Sequence, residues 1–364
     1  MKYKFIALLL LCVFFSCDEK NADSTSYSIL KEQDRASLKD ELLEDRFTHL
    51  LPELMDKANI DMWLLISREY NEDPILKTML PATWLNARRR TIIVFYRNKE
   101  KNTLERLAVA RYDIGKSIKS AWDKEKEPNQ WKALAEIIKE RNPQKIGLNI
   151  SKHFALADGL VKTDYDEFVE NLQEEFSDKL VSAEKLGIAW IETRTEKELA
   201  LFRDLVKITH DIIDETFSEK TIIPGETTTE DLVWYLRQKV TDLQRNNEAL
   251  KSHIESFSKA KDEKVIQKGD LLHCDFGITY IGLNTDCQQH AYVLKDDETE
   301  VPQFLKEAFK KGNRVQDILT NNMKAGVTGN EILAKSLSQA KSEGLKPSIY
   351  THPLGKYGHS AGTT

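Results

Sequence analysis

The order of apolar runs predicts an α/β domain in the first half of the chain, followed by a second region built from helices and a hairpin. Two observations carry this. Short apolar runs alternate with helically spaced stretches from about Ser37 to Leu186, the strand–helix–strand pattern of an α/β domain. From Gly187 onward the order changes to two amphipathic helices and then two apolar segments around a turn. A length of 364 residues suits two domains of ordinary size.

The first segment is a targeting signal rather than fold. Lys2 and Lys4 give it a charged start, and Ile6–Phe15 is an apolar stretch too short to span a bilayer as a mature helix. Ser16 before Cys17 resembles the lipobox of bacterial lipoproteins, in which the cysteine is acylated after cleavage. An ordinary secretory signal remains the alternative. Residues 18–34 begin polar and small ("DEKNADSTSYS") and read as a flexible tether. The expected layout is therefore a lipoprotein-type signal peptide at 1–17, lipidated on Cys17, and a tether at 18–34. The body would be exported and membrane-anchored, at the periplasmic or the cell surface.

Beyond the tether, "LKDELLEDRFTHLLPELMDKANI" spaces Leu38, Leu42, Leu43, Phe47, Leu50, Leu51 and Leu54 as a helix would. "DMWLLIS" and "RTIIVFYRN" are bounded apolar runs and predict strands. "WKALAEIIKERNPQKIGLNIS" predicts a helix, a stop at Asn142-Pro143 and a strand over Ile146–Ile150. In the second region Thr195 with Glu198 three residues on forms a capping-box pattern. The helix it opens carries the stripe Leu199, Phe202, Leu205, Ile212 and Ile213. "IIPGETTTED" breaks at Pro224-Gly225, and the next helix shows Leu232, Val233 and Leu236 on one face. The charge-rich stretch Gln244–Lys264 supports no definite element. Gly269-Asp270 then turns into the hairpin. A formal charge of -6 with no basic block speaks against a nucleic-acid partner, and no later run is apolar enough to cross a membrane.

"HCDFGITYIGLNTDCQQHAYVL", His273 to Leu294, reads as two strands around a turn near Ile281-Gly282. On this reading Asp275 faces Asp286 on one side, and Cys274 faces Cys287 on the other. Opposed carboxylates repel, and burying them unpaired is costly, so an ion between them is the economical solution. Exposed turn or edge aspartates would need no ion, but "LLHCDFG" is apolar for an exposed edge. The stretch "IYTHPLGKYGHSAGTT" adds His352 and His359, seven apart. Carboxylates with one imidazole make an oxygen-rich site suited to Mn²⁺, Fe²⁺, Co²⁺ or Zn²⁺. Opposed cysteines in an oxidising compartment would form either a disulfide or a pair of buried thiols. Neither reads as a nucleophile.

At these residues the chain resembles the pita-bread, M24-type metallopeptidases, a family that includes methionine aminopeptidase, aminopeptidase P, prolidase and creatinase. Asp275-Phe276-Gly277 matches the family's Asp-x-Gly strand end, Asp286 matches the ligand aspartate eleven residues on, and "HPLGKYGH" matches its histidine motif. The resemblance covers most of residues 35–364. It implies a creatinase-like N-terminal α/β domain at 35–186 and an α+β pita-bread catalytic domain at 187–364, incomplete at its C-terminus. It implies metal ligands Asp275, Asp286 and His352, with His359 catalytic, touching substrate and helping to move protons. The implied cofactor is two divalent metal ions (Mn, Co, Fe or Zn), and the implied reaction is removal of N-terminal residues from peptides by a dinuclear metal-activated water. Xaa-Pro bonds are among the implied targets.

Three departures qualify the match. The family places two glutamate ligands C-terminal to the histidine motif, which here would fall beyond Thr364, so the expectation is a C-terminally truncated chain whose activity belongs to the full-length protein. The family's substrate-facing histidine upstream of the first aspartate has only His253 as a candidate, in unmatched surroundings. "DCQQHAYVL" replaces a threonine-rich continuation, so substrate choice can differ. The expected partners are a peptide substrate and, through the lipid anchor, a membrane, with a homodimer left open. Two rival readings stand beside the peptidase. One is a catalytically inactive pita-bread binding or scaffold lipoprotein. The other is metal-free, creatinase-like hydrolysis of a small amide, disfavoured because relatives of that type lack the metal aspartates.

Overall fold

The structure, a computed structural model, describes residues 30–244, 251–256, 264–352, 354–356 and 358–359. The expected signal peptide, Cys17 and most of the tether lie outside the described residues. Helix α1 (Glu32–Asp45) starts inside the segment read as tether and runs through a π turn, Arg46–Leu50, into α2 (Leu51–Ala58). Then follow β1 (Met62–Arg68), α3 (Pro74–Thr78), β2 (Arg90–Asn98), β3 (Thr103–Val109), β4 (Lys119–Ser120), α4 (Gln130–Arg141) and β5 (Ile146–Leu148). The first half closes with α5 (Lys162–Asn171), β6 (Leu180–Ser182) and α6 (Glu184–Glu192). The second half has α7 (Glu196–Thr216), α8 (Thr229–Gln244), β7 (Lys251–Ser256), β8 (Leu271–Tyr280), β9 (Leu283–Asn284) and β10 (Cys287–Tyr292). It ends with α9 (Gln303–Asn322), α10 (Gly329–Ser342), β11 (Leu354–Gly355) and β12 (Gly358–His359).

Six strands form the first sheet in the order β4-β3-β2-β1-β5-β6. The unbroken apolar run of β1 is explained by burial on both faces. Trp63 and Leu65 pack with Leu51, Met55 and Trp190. Met62, Leu64 and Ile66 pack with Leu134, Ile138 and Phe168 on the other side. The first core extends through Leu186, Trp190 and Ile191, so packing carries the N-terminal domain to the end of α6 rather than to the composition break at Gly187. Gly187 lies within α6, and a side chain there would collide with Ile75. A separate core joins α7 and α8 to the hairpin, with Leu205, Ile212, Leu232 and Leu236 against Cys274, Phe276 and Ile278. Helix α1 and the π turn after it straddle the two: Leu42 belongs to the second core, Leu43 and Phe47 to the first.

The predicted capping box is present in full. Glu198 N–H donates to Thr195 Oγ1 and Thr195 N–H donates to Glu198 Oε2. A second box, Thr328 with Glu331, opens α10. The helix stop at Asn142 is a left-handed residue, φ +42°, which ends α4 before Pro143.

A buried polar chain runs under α3. Trp63 Nε1–H donates to Asn149 Oδ1 at 2.8 Å, Asn149 Nδ2 donates to Asp73 Oδ2 at 2.8 Å, and Leu76 N–H donates to Asp73 Oδ1 at 2.9 Å. Burial pushes the Asp73 carboxyl up to about 6, against the pull of these donors. A raised carboxyl holds its proton more tightly in the folded state, so its stabilising contribution is complete below about pH 4 and is lost as pH rises through 6. Replacing it by Asp73→Asn removes that dependence. The stability of the variant relative to the parent, measured by urea unfolding, should therefore rise by about 2–3 kcal/mol between pH 4 and pH 7.5. A difference that stays flat over that range would contradict the assignment.

Candidate metal centre

The hairpin that carries both aspartates is set by its turn. Ile281 and Gly282 both have positive φ, +53° and +76°. Such a pair makes a two-residue turn of the kind that matches the twist of its strands. It pairs Tyr280 with Leu283 and Thr279 with Asn284, and the same register continues through Cys287 opposite Phe276 and Gln288 opposite Asp275. This corrects the expected pairing. Asp275 does not face Asp286 directly, because that would need the turn one residue earlier. Asp286 instead falls across from Gly277. Strand side chains repeat every two residues, so Asp275, Gly277, Asp286 and Gln288 still share a face and the two carboxylates are diagonal neighbours. Gly277, between them on that face, carries no side chain of its own.

The cysteines are corrected in the same way. Cys274 stands opposite Gln289 and Cys287 opposite Phe276, both on the core face, and both are buried free thiols. Burial, helped by the neighbouring Asp275 carboxylate, pushes Cys274 up to about 12; burial likewise takes Cys287 to about 11. Thiols held protonated this far above neutrality are inert.

On the polar face, Gln288 Nε2 donates to Asp275 Oδ2 at 3.1 Å, and Gln288 Oε1 lies 3.1 Å from His273 Nε2. The other carboxylate oxygen of Asp275, Oδ1, is buried. His290, opposite His273, completes the stripe with ring centroids 4.8 Å apart. Burial and the charge of His273 lower the pKa of His290. Thr285 fixes the approach to Asp286: its N–H donates to Ile278 O at 2.9 Å, its Oγ1 accepts from Ile278 N–H at 3.0 Å, and Thr209 of α7 meets that hydroxyl at 2.7 Å.

His352 reaches this face from the C-terminal loop. Its Nε2 lies 3.4 Å from Asp286 Oδ2, with side chains 19 % and 11 % exposed. Asn284 Nδ2 grips the same loop at Gly355 O, 2.6 Å away. His359 is placed in backbone only, in β12 opposite Leu354, and its side chain lies outside the described residues. The backbone of β7 registers His253 opposite Gly277, a position that its sequence surroundings gave no reason to expect.

The donor set fits a divalent ion in chemistry. Two carboxylates share a face around a glycine, and an imidazole nitrogen sits beside one of them. Among the described residues no three His, Cys, Asp or Glu side chains converge on a single point. The structure thus brings Asp286 and His352 together and aligns Asp275 on their face. A cleft of about 1030 Å³ lies elsewhere, between α1 and residues 79–83 of the N-terminal domain.

Residues 200–364 match the sequence profile of metallopeptidase family M24. Over most of its length the chain also takes the fold of solved proteins of this kind. An Xaa-Pro dipeptidase from Bacillus anthracis superposes with TM-score 0.51 at 21% identity, covering 90% of this chain and 84% of that one. An X-Pro aminopeptidase from Thermotoga maritima superposes with TM-score 0.52 at 16% identity, over 80% of this chain and 78% of that one. A histidine variant of Escherichia coli aminopeptidase P gives TM-score 0.54 at 12% identity, over 88% and 82%. No curated protein matches the sequence. Residues 200–364 are therefore an M24 metallopeptidase domain. The architecture is the pita-bread fold preceded by an α/β domain.

Alkylation of the native protein without reductant should label neither Cys274 nor Cys287, and unfolding in denaturant, still without reductant, should expose both. Two unlabelled sulfurs after unfolding would show a disulfide and contradict the register.

Proposed function

We propose that the protein is an exported, metal-dependent aminopeptidase that removes N-terminal residues from peptides, with Xaa-Pro bonds the substrate class to test first. The observation that carries this reading is the meeting of His352 Nε2 with Asp286 Oδ2, on the face that also holds Asp275, inside an M24 domain. Those three residues would hold the metal, proposed as two divalent ions of Mn, Co, Fe or Zn. When bound, such ions supply Lewis acidity that polarises a carbonyl and makes water more acidic. The protein's own part is orientation. Gln288 fixes Asp275 through Oδ2, Thr285 and Thr209 fix the backbone before Asp286, and Asn284 holds the loop of His352. His359, two strand residues past the turn of that loop, is the proposed substrate-contacting and proton-moving group.

Export and anchoring rest on Lys2, Lys4, the apolar run Ile6–Phe15 and Cys17. Among the described residues no helix is long and apolar enough to cross a membrane.

Metal content by elemental mass spectrometry, run beside hydrolysis of Xaa-Pro peptides, tests the reading. Loss of even an outer partner of a metal ligand costs about 10–100-fold in affinity or activity, so Asp286→Ala should lose at least ~100-fold in both. Metal binding unchanged in Asp286→Ala would remove the ligand assignment. A metal-free protein without hydrolysis would leave the inactive binding-protein reading in front.

A further inference from the structure

The loop that carries His352 is fastened to a buried cluster of charges that belongs to neither the hairpin nor the metal ligands. Arg46, at the start of the π turn, is fully buried. Its guanidinium donates to Glu198 Oε2 at 2.7 Å, to Thr193 O at 2.8 Å and to Trp190 O, and it stacks on the Trp190 ring. Glu198 is the third residue of α7 and is held from below by the Thr195 cap, so its carboxylate has one position. The second oxygen, Oε1, faces Lys356 Nζ at 3.5 Å. Arg194 donates to Leu354 O at 2.7 Å, and Lys356 N–H donates to Ile191 O at 3.2 Å. With Asn284 on Gly355 O, three consecutive residues of the histidine loop are each held by a different group.

We propose that Glu198 is a positioning residue: it bridges Arg46 of the N-terminal domain to Lys356, and that bridge sets the register of loop 352–356 so that His352 meets Asp286. The proposal rests on His352 being a metal ligand, and it assigns to the α1–α2 region a role in the site beyond packing. Two features separate this bridge from an ordinary structural ion pair. The carboxylate is shared, one oxygen to each partner, so the two domains and the loop meet at one atom pair. The loop's own contribution is a single side chain, Lys356, four residues from His352, lying against Gly282 at the hairpin turn. The turn that fixes the aspartates and the loop that brings the histidine are therefore adjacent at Lys356.

Three cations converge on this one carboxylate. Burial alone would push Glu198 up, but Arg46, Lys356 and Arg194 outweigh it and hold it below the usual carboxylate range. Burial, with the two guanidiniums, lowers Lys356 as well, down to about 7. The positive charge around the pair favours an ionised Glu198 and a neutral Lys356; on the lysine it adds to burial, and lysine gives up a proton where arginine does not.

Glu198→Gln removes the charge from a buried pair and risks the fold, so the test is made on the loop side. Lys356→Met keeps the volume and leaves the Arg46–Glu198 pair in place. Two readouts are compared in the full chain: hydrogen exchange of the amides of residues 352 and 354–356 without metal, and Mn²⁺ affinity by titration. The expected result is exchange about tenfold faster across the loop and Mn²⁺ binding weaker by about tenfold or more, with the thermal midpoint nearly unchanged and with Lys356→Arg restoring both. Unchanged exchange and unchanged Mn²⁺ affinity in Lys356→Met would overturn the proposal. So would equal loss in Lys356→Met and Lys356→Arg, which would show packing rather than charge at work. Faster loop exchange in a protein that binds no Mn²⁺ in any form would keep the bridge as a loop clamp but remove its role at a metal site, and would count against the peptidase reading instead.

Discussion

The two-residue turn at Ile281-Gly282 is the constraint on which the site depends. A β-branched residue in the left-handed region is strained, and Ile281 tolerates it because its side chain is buried in the core under α7 and α8. That turn fixes every pair along β8, β9 and β10. A slip of one residue would send one of the aspartates to the core face and bring a cysteine to the polar one. The identity of the face, rather than direct opposition, is what makes the two carboxylates neighbours. The glycine of Asp275-Phe276-Gly277 stands at the position across from Asp286 by the same register, between the two carboxylates on that face.

The second constraint is how a loop from far along the chain finds that face. Among the described residues, the segment on which His352 arrives has two short strands as its regular structure, β11 and β12. Its precision comes instead from side chains and carbonyls of elements earlier in the chain. Asn284 comes from the hairpin, Ile191 from the end of α6, Arg194 from the link between α6 and α7, and Glu198 from the first turn of α7. A site assembled from separate elements needs such supports, because each ligand alone is held only as well as its own segment. Here the supports converge where the two cores meet, so the N-terminal domain stands next to the chemistry although it supplies none of the proposed ligands.

Much of this was legible in the residues. The continuous apolar runs of β1 and β2, the Asn142 stop, the capping box of α7 and the two hairpin strands all follow from local pattern and appear in the structure. The register did not, because a pattern of period two fixes the face of each side chain but not its partner; only the turn geometry does that. The domain junction was placed early, since Gly187 reads as a break when it is a packing contact inside α6. The buried Arg46–Glu198 pair left a faint trace. Arg46 stands on the same helical stripe as Leu42, Leu43 and Leu50, a polar residue at a core position, which calls for a buried partner even when sequence cannot say which. Glu198 was visible only in its other role, as the third residue of a helix cap. The placement of His253 opposite Gly277 had no local signal at all, because it arises from long-range strand pairing.

The central claim is that Asp275, Asp286 and His352 act on one metal centre. Crystals grown with Mn²⁺ and measured for anomalous scattering address it most directly. The account predicts anomalous density in contact with all three side chains, on the polar face of the hairpin beside Gly277. Density bound at other residues, with Asp275, Asp286 and His352 making no contact to it, would contradict the account.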